Sequence, residues 1–331
     1  MSLRPKSISK QGRLIPSDGS TSVRLFCMGF KSGFVAIVGR PNAGKSTLVN
    51  TLVGRKVSIV SPKPQTTRNR IQGILNREDA QIVLVDTPGL HKPENVLGRQ
   101  MMDEAQHAVE GIDILSLIMD ASTEFGAGDR FAIDWARRFH GPVFLLLNKV
   151  DRIAKPRLLP LIDRCSREFG FAEVFPISAL TGLGCFDLVK CWLALLPEQE
   201  PYFPTDQFTD QPERFLAAEI IREKAILSTR EEVPHAIAVM IDKFEEGEKL
   251  LRIRAAIYVE REGQKAILIG KGAATIKKIG TQARLELEGI LGAHIFLELV
   301  VEVRPAWRQN AALVQELDWR RQLERLAENQ E

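Results

Sequence analysis

Gly39-Arg40-Pro41-Asn42-Ala43-Gly44-Lys45-Ser46 is the stretch on which the reading of this chain turns. Its glycines let the backbone curl so that consecutive N–H groups converge on one anion. A helix beginning at the lysine adds the positive end of its dipole. Lys45 would then reach the β- and γ-phosphates of a nucleotide, Ser46 would ligate a bridging Mg2+, and Thr47 carries the cradle into the helix. The neighbours agree. Residues 33–38 (GFVAIV) form a short apolar run suited to a buried parallel strand, and Leu48, Val49 and Leu52 give the following helix an apolar face.

Four further segments follow in fixed order: Thr66-Thr67, Asp86-Thr87-Pro88-Gly89, Asn148-Lys149-Val150-Asp151 and Ser178-Ala179-Leu180. Asp86 ends the run 81–85 (QIVLV), at the carboxyl end of a strand, where α/β sheets place ligands. A carboxylate there suits the outer shell of Mg2+, and the Gly89 N–H can meet a γ-phosphate. After the apolar strand 142–147 (PVFLLL), Asp151 can accept two hydrogen bonds from the N1–H and exocyclic amine of guanine, a donor pair adenine lacks. The Ala179 N–H would donate to the guanine oxygen. A buried acceptor of this kind discriminates strongly against the base that leaves it unpaired. Each segment alone could be a plain turn; their order makes them a guanine-nucleotide site.

The composition is that of an ordinary globular chain of 331 residues, long enough for two cores, with a net charge of +3 that does not by itself imply a nucleic-acid partner. Cys27, Cys165, Cys185 and Cys191 show neither zinc spacing nor a disulfide framework, which suits a cytoplasmic setting. No apolar run approaches the length of a bilayer span, so membrane contact would be peripheral. Residues 1–30 are Ser-, Arg- and Lys-rich and without period: a disordered extension or a mis-assigned start, Met28 being the better start, with a transit peptide as the lesser alternative.

Residues 31–196 form the first predicted domain, and the proline- and acid-rich stretch 197–211 reads as a linker. The second domain, 212–305, reads as a helix over 213–228, strands over 233–244 and 249–260 joined by the turn 245–248, a glycine loop, a helix and a final strand over 295–303. In the second of these strands Leu251, Ile253, Ala255, Ile257 and Val259 share one face, while Arg252 and Arg254 take the other. In the helix after the glycine loop, Ile276, Ile279, Ala283, Leu287 and Ile290 share a face.

That order resembles a type II KH domain, which implies binding of single-stranded RNA. Gly270-Lys271-Gly272-Ala273 would be its loop, with Lys277 and Lys278 adding charge. Ala273 stands where the second glycine is expected, and a left-handed backbone there would cost about 1 kcal/mol. With both halves in view, the chain from residue 28 onward resembles the Era family of bacterial GTPases. The resemblance rests on the P-loop Gly39-Arg40-Pro41-Asn42, on Lys63-Pro64-Gln65-Thr66-Thr67-Arg68, on Asp86-Thr87-Pro88-Gly89-Leu90-His91, on Thr209-Asp210-Gln211-Pro212-Glu213-Arg214-Phe215 and on Thr229-Arg230-Glu231-Glu232-Val233-Pro234-His235.

The resemblance implies an α/β fold, a P-loop GTPase domain with a mostly parallel sheet and helices on both faces, followed by a smaller α+β KH domain. It also implies slow GTP hydrolysis and binding of the 3′ end of small-subunit (16S) rRNA. Maturation of the small (30S) ribosomal subunit would follow, with peripheral contact at the inner membrane in some members; a monomer is expected. Thr67 would ligate Mg2+ while the γ-phosphate is present. Leu90 replaces the glutamine that orients water in many GTPases, and Asn42 matches an asparagine that holds K+ in similar families. Lys45, Asn42, Thr67 and Gly89 are therefore the expected catalytic set. Trp307 and Arg308 fall in the family's C-terminal extension and are expected at the RNA; residues 306–331 form the tail. The alternatives are a membrane-associated signalling GTPase that uses the KH domain for docking and a non-catalytic RNA-binding protein.

Overall fold

A computed structural model describes residues 29–247 and 250–321. The expectations for 1–28, for the turn at 248–249 and for the tail beyond 321 lie outside the described residues.

The first half runs β1 (Lys31–Gly39), α1 (Lys45–Val53), β2 (Ile71–Asn76), β3 (Ala80–Asp86), α2 (Val96–His107), β4 (Ile114–Asp120), α3 (Ala127–Ala136), β5 (Val143–Asn148), α4 (Leu158–Glu168), β6 (Glu173–Pro176) and α5 (Cys185–Leu195). The sheet order is β2-β3-β1-β4-β5-β6, parallel throughout except for the antiparallel pair β2–β3. β1 therefore lies centrally between β3 and β4, and chains leave it on opposite sides. This is the switch point where open α/β sheets form a ligand crevice. Both faces are covered: Leu48, Val49, Leu188 and Trp192 pack on one, and Ala105, Ile133 and Ala136 on the other. Burial on both sides is why these strands read as continuous apolar runs.

The second half runs α6 (Glu213–Leu227), α7 (Val233–Ala236), β7 (Ala238–Glu246), β8 (Leu251–Val259), α8 (Glu262–Ile269), α9 (Ala274–Leu291), β9 (Ile295–Val303) and α10 (Ala311–Glu316). Its sheet is β7-β8-β9, with β7–β8 antiparallel and β8–β9 parallel. The alternating face of β8 enters the core as expected, joined by Ile279, Ala283 and Leu287 of α9, while Arg252 and Arg254 are exposed.

Two expectations are corrected. The strand read over 233–244 begins only at Ala238, because Val233–Ala236 is a helical turn with Pro234 in its first positions, where a missing N–H costs nothing. The stretch 197–211 is not a free linker. Ile74 N–H donates to Phe208 O (2.9 Å), Asn76 Nδ2 to Gln207 O (2.7 Å) and Gln211 Nε2 to Val57 O (2.8 Å). The segment thus runs along β2 and covers an edge that would otherwise present unpaired backbone groups.

Candidate functional site

The cradle forms where β1 gives way to α1. Gly44, at the α1 N-cap, is left-handed (φ 102°), and a Cβ there would lie 2.1 Å from Asn148 Nδ2, so this position requires glycine. Gly89 is equally constrained, since a Cβ would lie 2.7 Å from Pro41 N. This contact sets the segment 86–91, switch II in the terms of such nucleotide switches, directly against the P-loop. Asn148 joins the cradle to the loop 178–180: its Nδ2 donates to Ala43 O and its Oδ1 accepts from Ala179 N, both at 2.8 Å. Lys149 Nζ donates to Asn42 O (2.7 Å) and pairs with Asp120 (2.6 Å). Ser178 and Ala179 are buried, while Leu180 is exposed at the rim and Asp151 stays accessible. The Thr87 hydroxyl donates to Ile37 O (2.9 Å), which anchors the strand end before Pro88.

A cleft of about 480 Å³ runs from Pro41, Asn42 and Lys45 through Ser46 and Thr47 to Thr66, Thr67 and Gly89. At its floor Lys45 is 5 % exposed, and its Nζ donates to Arg40 O (2.9 Å) and Gly39 O (3.2 Å). Burial pulls its pKa down to about 8, an effect the Asp86 carboxylate only partly offsets. Arg40 is turned outward from the cradle and pairs with Asp129 (2.8 Å).

The residues expected to hold Mg2+ converge. Ser46 Oγ and Thr67 Oγ1 lie 2.8 Å apart, and Thr67 Oγ1 lies 3.5 Å from Asp86 Oδ2. Asp86 is fully buried, its Oδ1 has no hydrogen-bond partner among the described residues, and desolvation raises its pKa. A buried carboxylate in that condition fits a divalent cation. Leu90 is buried in the core and contributes no polar group to the cleft. His91 Nδ1 donates to Gly89 O (2.8 Å), since a carbonyl can only accept; its Nε2 then accepts from Gln65 Nε2 (3.4 Å), linking switch II to the segment 60–68, switch I. Asn42 Nδ2 donates to Pro62 O (2.8 Å), a second link between P-loop and switch I.

Sequence reasoning missed what holds switch I from the other side. Glu223 Oε1 accepts from Val60 N (2.9 Å), Arg222 Nη2 donates to Thr66 O, and Arg68 Nη1 donates to Ile237 O (2.8 Å). Arg222 is also paired with Glu219 (2.6 Å). Glu219, Arg222 and Glu223 fall at i, i+3 and i+4 on a helix otherwise rich in apolar residues, which looks like a solvated stripe. All three are buried because that stripe faces switch I.

The glycine loop of the second half adopts the strained backbone foreseen: Gly270, Gly272 and Ala273 have φ of 72°, 59° and 62°. Gly270 is obligatory, because a Cβ would lie 2.3 Å from Thr275 Oγ1. Lys271, Lys277 and Lys278 are exposed beside it. A neighbouring groove of about 440 Å³ is lined by Ile276, Lys277, Gly280, Arg284, Leu297 and Leu299, apolar in its floor and basic at its rim. Trp307 is a correction: it is fully buried, donates through Nε1 to Ala236 O (2.8 Å) and lies under the Arg68 guanidinium, so it offers no surface to RNA. Arg308 pairs with Glu260 (2.6 Å). The tail after it does more than extend: Trp319 packs on Phe215, and Arg320 pairs with Glu104 of α2 (3.3 Å) and donates to Arg70 O (2.9 Å).

Fold and site together define a P-loop GTPase joined to a KH module. Residues 34–149 match the family model described as 50S ribosome-binding GTPase, and residues 232–308 match a KH domain model. Two solved structures are similar along nearly their whole length. One is Era in complex with MgGDPNP and nucleotides 1506–1542 of 16S ribosomal RNA: 44 % identity, 88 % of this chain and 99 % of that one, TM-score 0.85. The other is a tyrosine-to-alanine variant of Aquifex aeolicus Era bound to GDP and AlF4−, with the same identity and coverage and a TM-score of 0.84. The chain belongs to the Era family.

Proposed function

We propose that this protein is a GTP-hydrolysing switch whose KH half, residues 212–305, binds the 3′ end of 16S rRNA when GTP orders switch I, and that it acts in maturation of the small ribosomal subunit. One observation carries the reading. Thr66, Thr67 and Arg68 face the nucleotide cleft with one hydroxyl and the KH half with a carbonyl and a guanidinium. A γ-phosphate that draws in Thr67 thereby acts on residues bonded to α6 and to the backbone before β7. The solved Era complexes with MgGDPNP and an rRNA segment and with GDP and AlF4− support both halves of the proposal.

Within the cleft, Lys45 holds the β- and γ-phosphates, the Gly89 N–H meets the γ-phosphate and Asp151 with Ala179 reads guanine. Ser46 and Thr67 would hold Mg2+, with Asp86 behind them; the ion supplies charge neutralisation at the transferring phosphoryl group. Leu90 has no group to orient the attacking water, so hydrolysis is slow and depends on charge placed by other means; Asn42 would hold K+, which would supply positive charge beside the phosphates. In the KH half, Gly270 to Ala273 admit the RNA backbone closely, Lys271, Lys277 and Lys278 meet phosphates and the Ile276–Leu299 groove takes bases. The protein acts as a cytoplasmic monomer with peripheral contact at the inner membrane; no helix among the described residues is long and apolar enough to cross one.

The test is binding of the purified protein to a short RNA copying the 16S 3′ end, with a non-hydrolysable GTP analogue and with GDP, at one salt concentration. Tight binding with the analogue alone is expected. No binding in either state, with nucleotide affinity intact, refutes the rRNA assignment, and strong binding to acidic vesicles would then favour a membrane-linked signalling role.

A further inference from the structure

Where switch I meets α6, a small cavity of about 40 Å³ is lined by Arg68, Asn69, Arg214, Glu219 and Arg222, with Gln100 and apolar side chains of α2, α6, β7 and α10 closing it. Each of the three guanidiniums has one nitrogen sealed from solvent and without an acceptor among the described residues: Nε of Arg68, Nε of Arg214 and Nη1 of Arg222. Arg68 and Arg222 are 9 % and 2 % exposed. Their remaining bonds are already assigned, Arg68 to Ile237 O and His235 O, Arg214 to Ile241 O and Asp242 O, Arg222 to Glu219 and Thr66 O.

The charge balance is as uneven as the hydrogen bonding. Three cations line the cavity against the single carboxylate of Glu219, and both its oxygens are engaged by Arg222. Asp242, the other carboxylate acting on Arg214, is exposed and does not line the cavity. Burial, and then the neighbouring Arg222, push the Arg68 guanidinium well below its usual pKa. A guanidinium only donates. Water accepts from it too, and the amide oxygens of Asn69 and Gln100 on the lining can take its protons, but water brings no charge to offset the three cations. A negatively charged acceptor satisfies the donors and offsets the charge together. The space admits one monatomic anion with a water or two.

We propose that this cavity is a binding site for a small monovalent inorganic anion of the size and charge of chloride, held by Arg68, Arg214 and Arg222. Its occupancy fastens the residue after Thr67 to α6 and so favours the arrangement in which switch I rests on the KH half.

Two measurements on the full chain test it. Crystals grown in bromide, recorded at the bromine absorption edge, should show an anomalous peak between the three guanidiniums. The unfolding midpoint should lie about 2 °C higher in potassium chloride than in potassium gluconate of equal ionic strength, and Arg214→Gln should remove that difference. Arg214 lies outside the nucleotide cleft. Bromide only elsewhere in the crystal, or a chloride increment equal in the unaltered protein and in Arg214→Gln, would overturn the proposal. Should Arg214→Gln not fold, the bromide map of the unaltered protein decides alone.

Discussion

Raising the pH perturbs the phosphate cradle without altering an atom of the chain. Lys45 carries its ammonium in a site that is 5 % exposed, and burial lowers its pKa from 10.5 to about 8. Nucleotide phosphates return negative charge to that ammonium, so the complex keeps the proton to higher pH than the free protein does. The sign follows: affinity is complete below about pH 8 and falls above it, because binding must then take up a proton that the free site has lost. The penalty factor is 1 + 10^(pH − pKa), which grows from about 1.1 at about pH 7 to about 11 at about pH 9. Affinity for GDP should therefore weaken about tenfold over that range, or about 1.4 kcal/mol. Titration with a fluorescent GDP gives the affinity. Calorimetry in two buffers of different ionisation enthalpy gives the proton count, about three-quarters of a proton per nucleotide at about pH 8.5. Lys45→Arg should flatten the profile, since a guanidinium keeps its proton throughout. A constant affinity with no buffer-dependent enthalpy would refute the reasoning.

Three other expectations concern the switches and the loop. Replacing both members of the buried pair, Glu219→Met with Arg222→Met, avoids stranding a charge and removes the bond to Thr66 O. A charged hydrogen bond of about 1.5–3 kcal/mol then predicts a roughly ten- to hundredfold fall in affinity for a GTP analogue relative to GDP; an unchanged ratio in competition titrations would remove the link from switch I to α6. Ala273→Gly relieves a left-handed alanine at φ 62°. The relief of about 1 kcal/mol of strain slightly outweighs the added unfolded-state entropy of about 0.4–1 kcal/mol, so thermal unfolding should hold or move up slightly with RNA affinity retained, and a lower midpoint contradicts the account. GTP hydrolysis should be faster in K+ than in Na+ at equal ionic strength, and Asn42→Ala should erase the difference; equal rates in the unaltered protein exclude the potassium site.

The nucleotide half was legible because its chemistry is local in sequence. A phosphate cradle needs consecutive backbone N–H groups, so Gly39 to Ser46 must be contiguous, and a strand buried on both faces must be an apolar run, as residues 33–38 are. Within the second half, alternation in β8 and the helical period of α9 placed the core for the same reason. The start of β7 was misplaced because Val233-Pro234 is apolar and looks like strand, whereas proline opens a helical turn there. Only the tertiary structure decided what happens between the halves. Glu219, Arg222 and Glu223 look like a solvated stripe until α6 is seen lying on switch I. Trp307 looks like an RNA contact until Arg68 is found across its ring. The composition of 197–211 indicates a tether, although its backbone covers the edge of β2. Periodicity reports which face of an element is apolar, but whether a polar face meets water or another polar face is fixed by residues far apart in the chain. That is why the sequence determines a GTP site and a KH module, and the structure alone joins them.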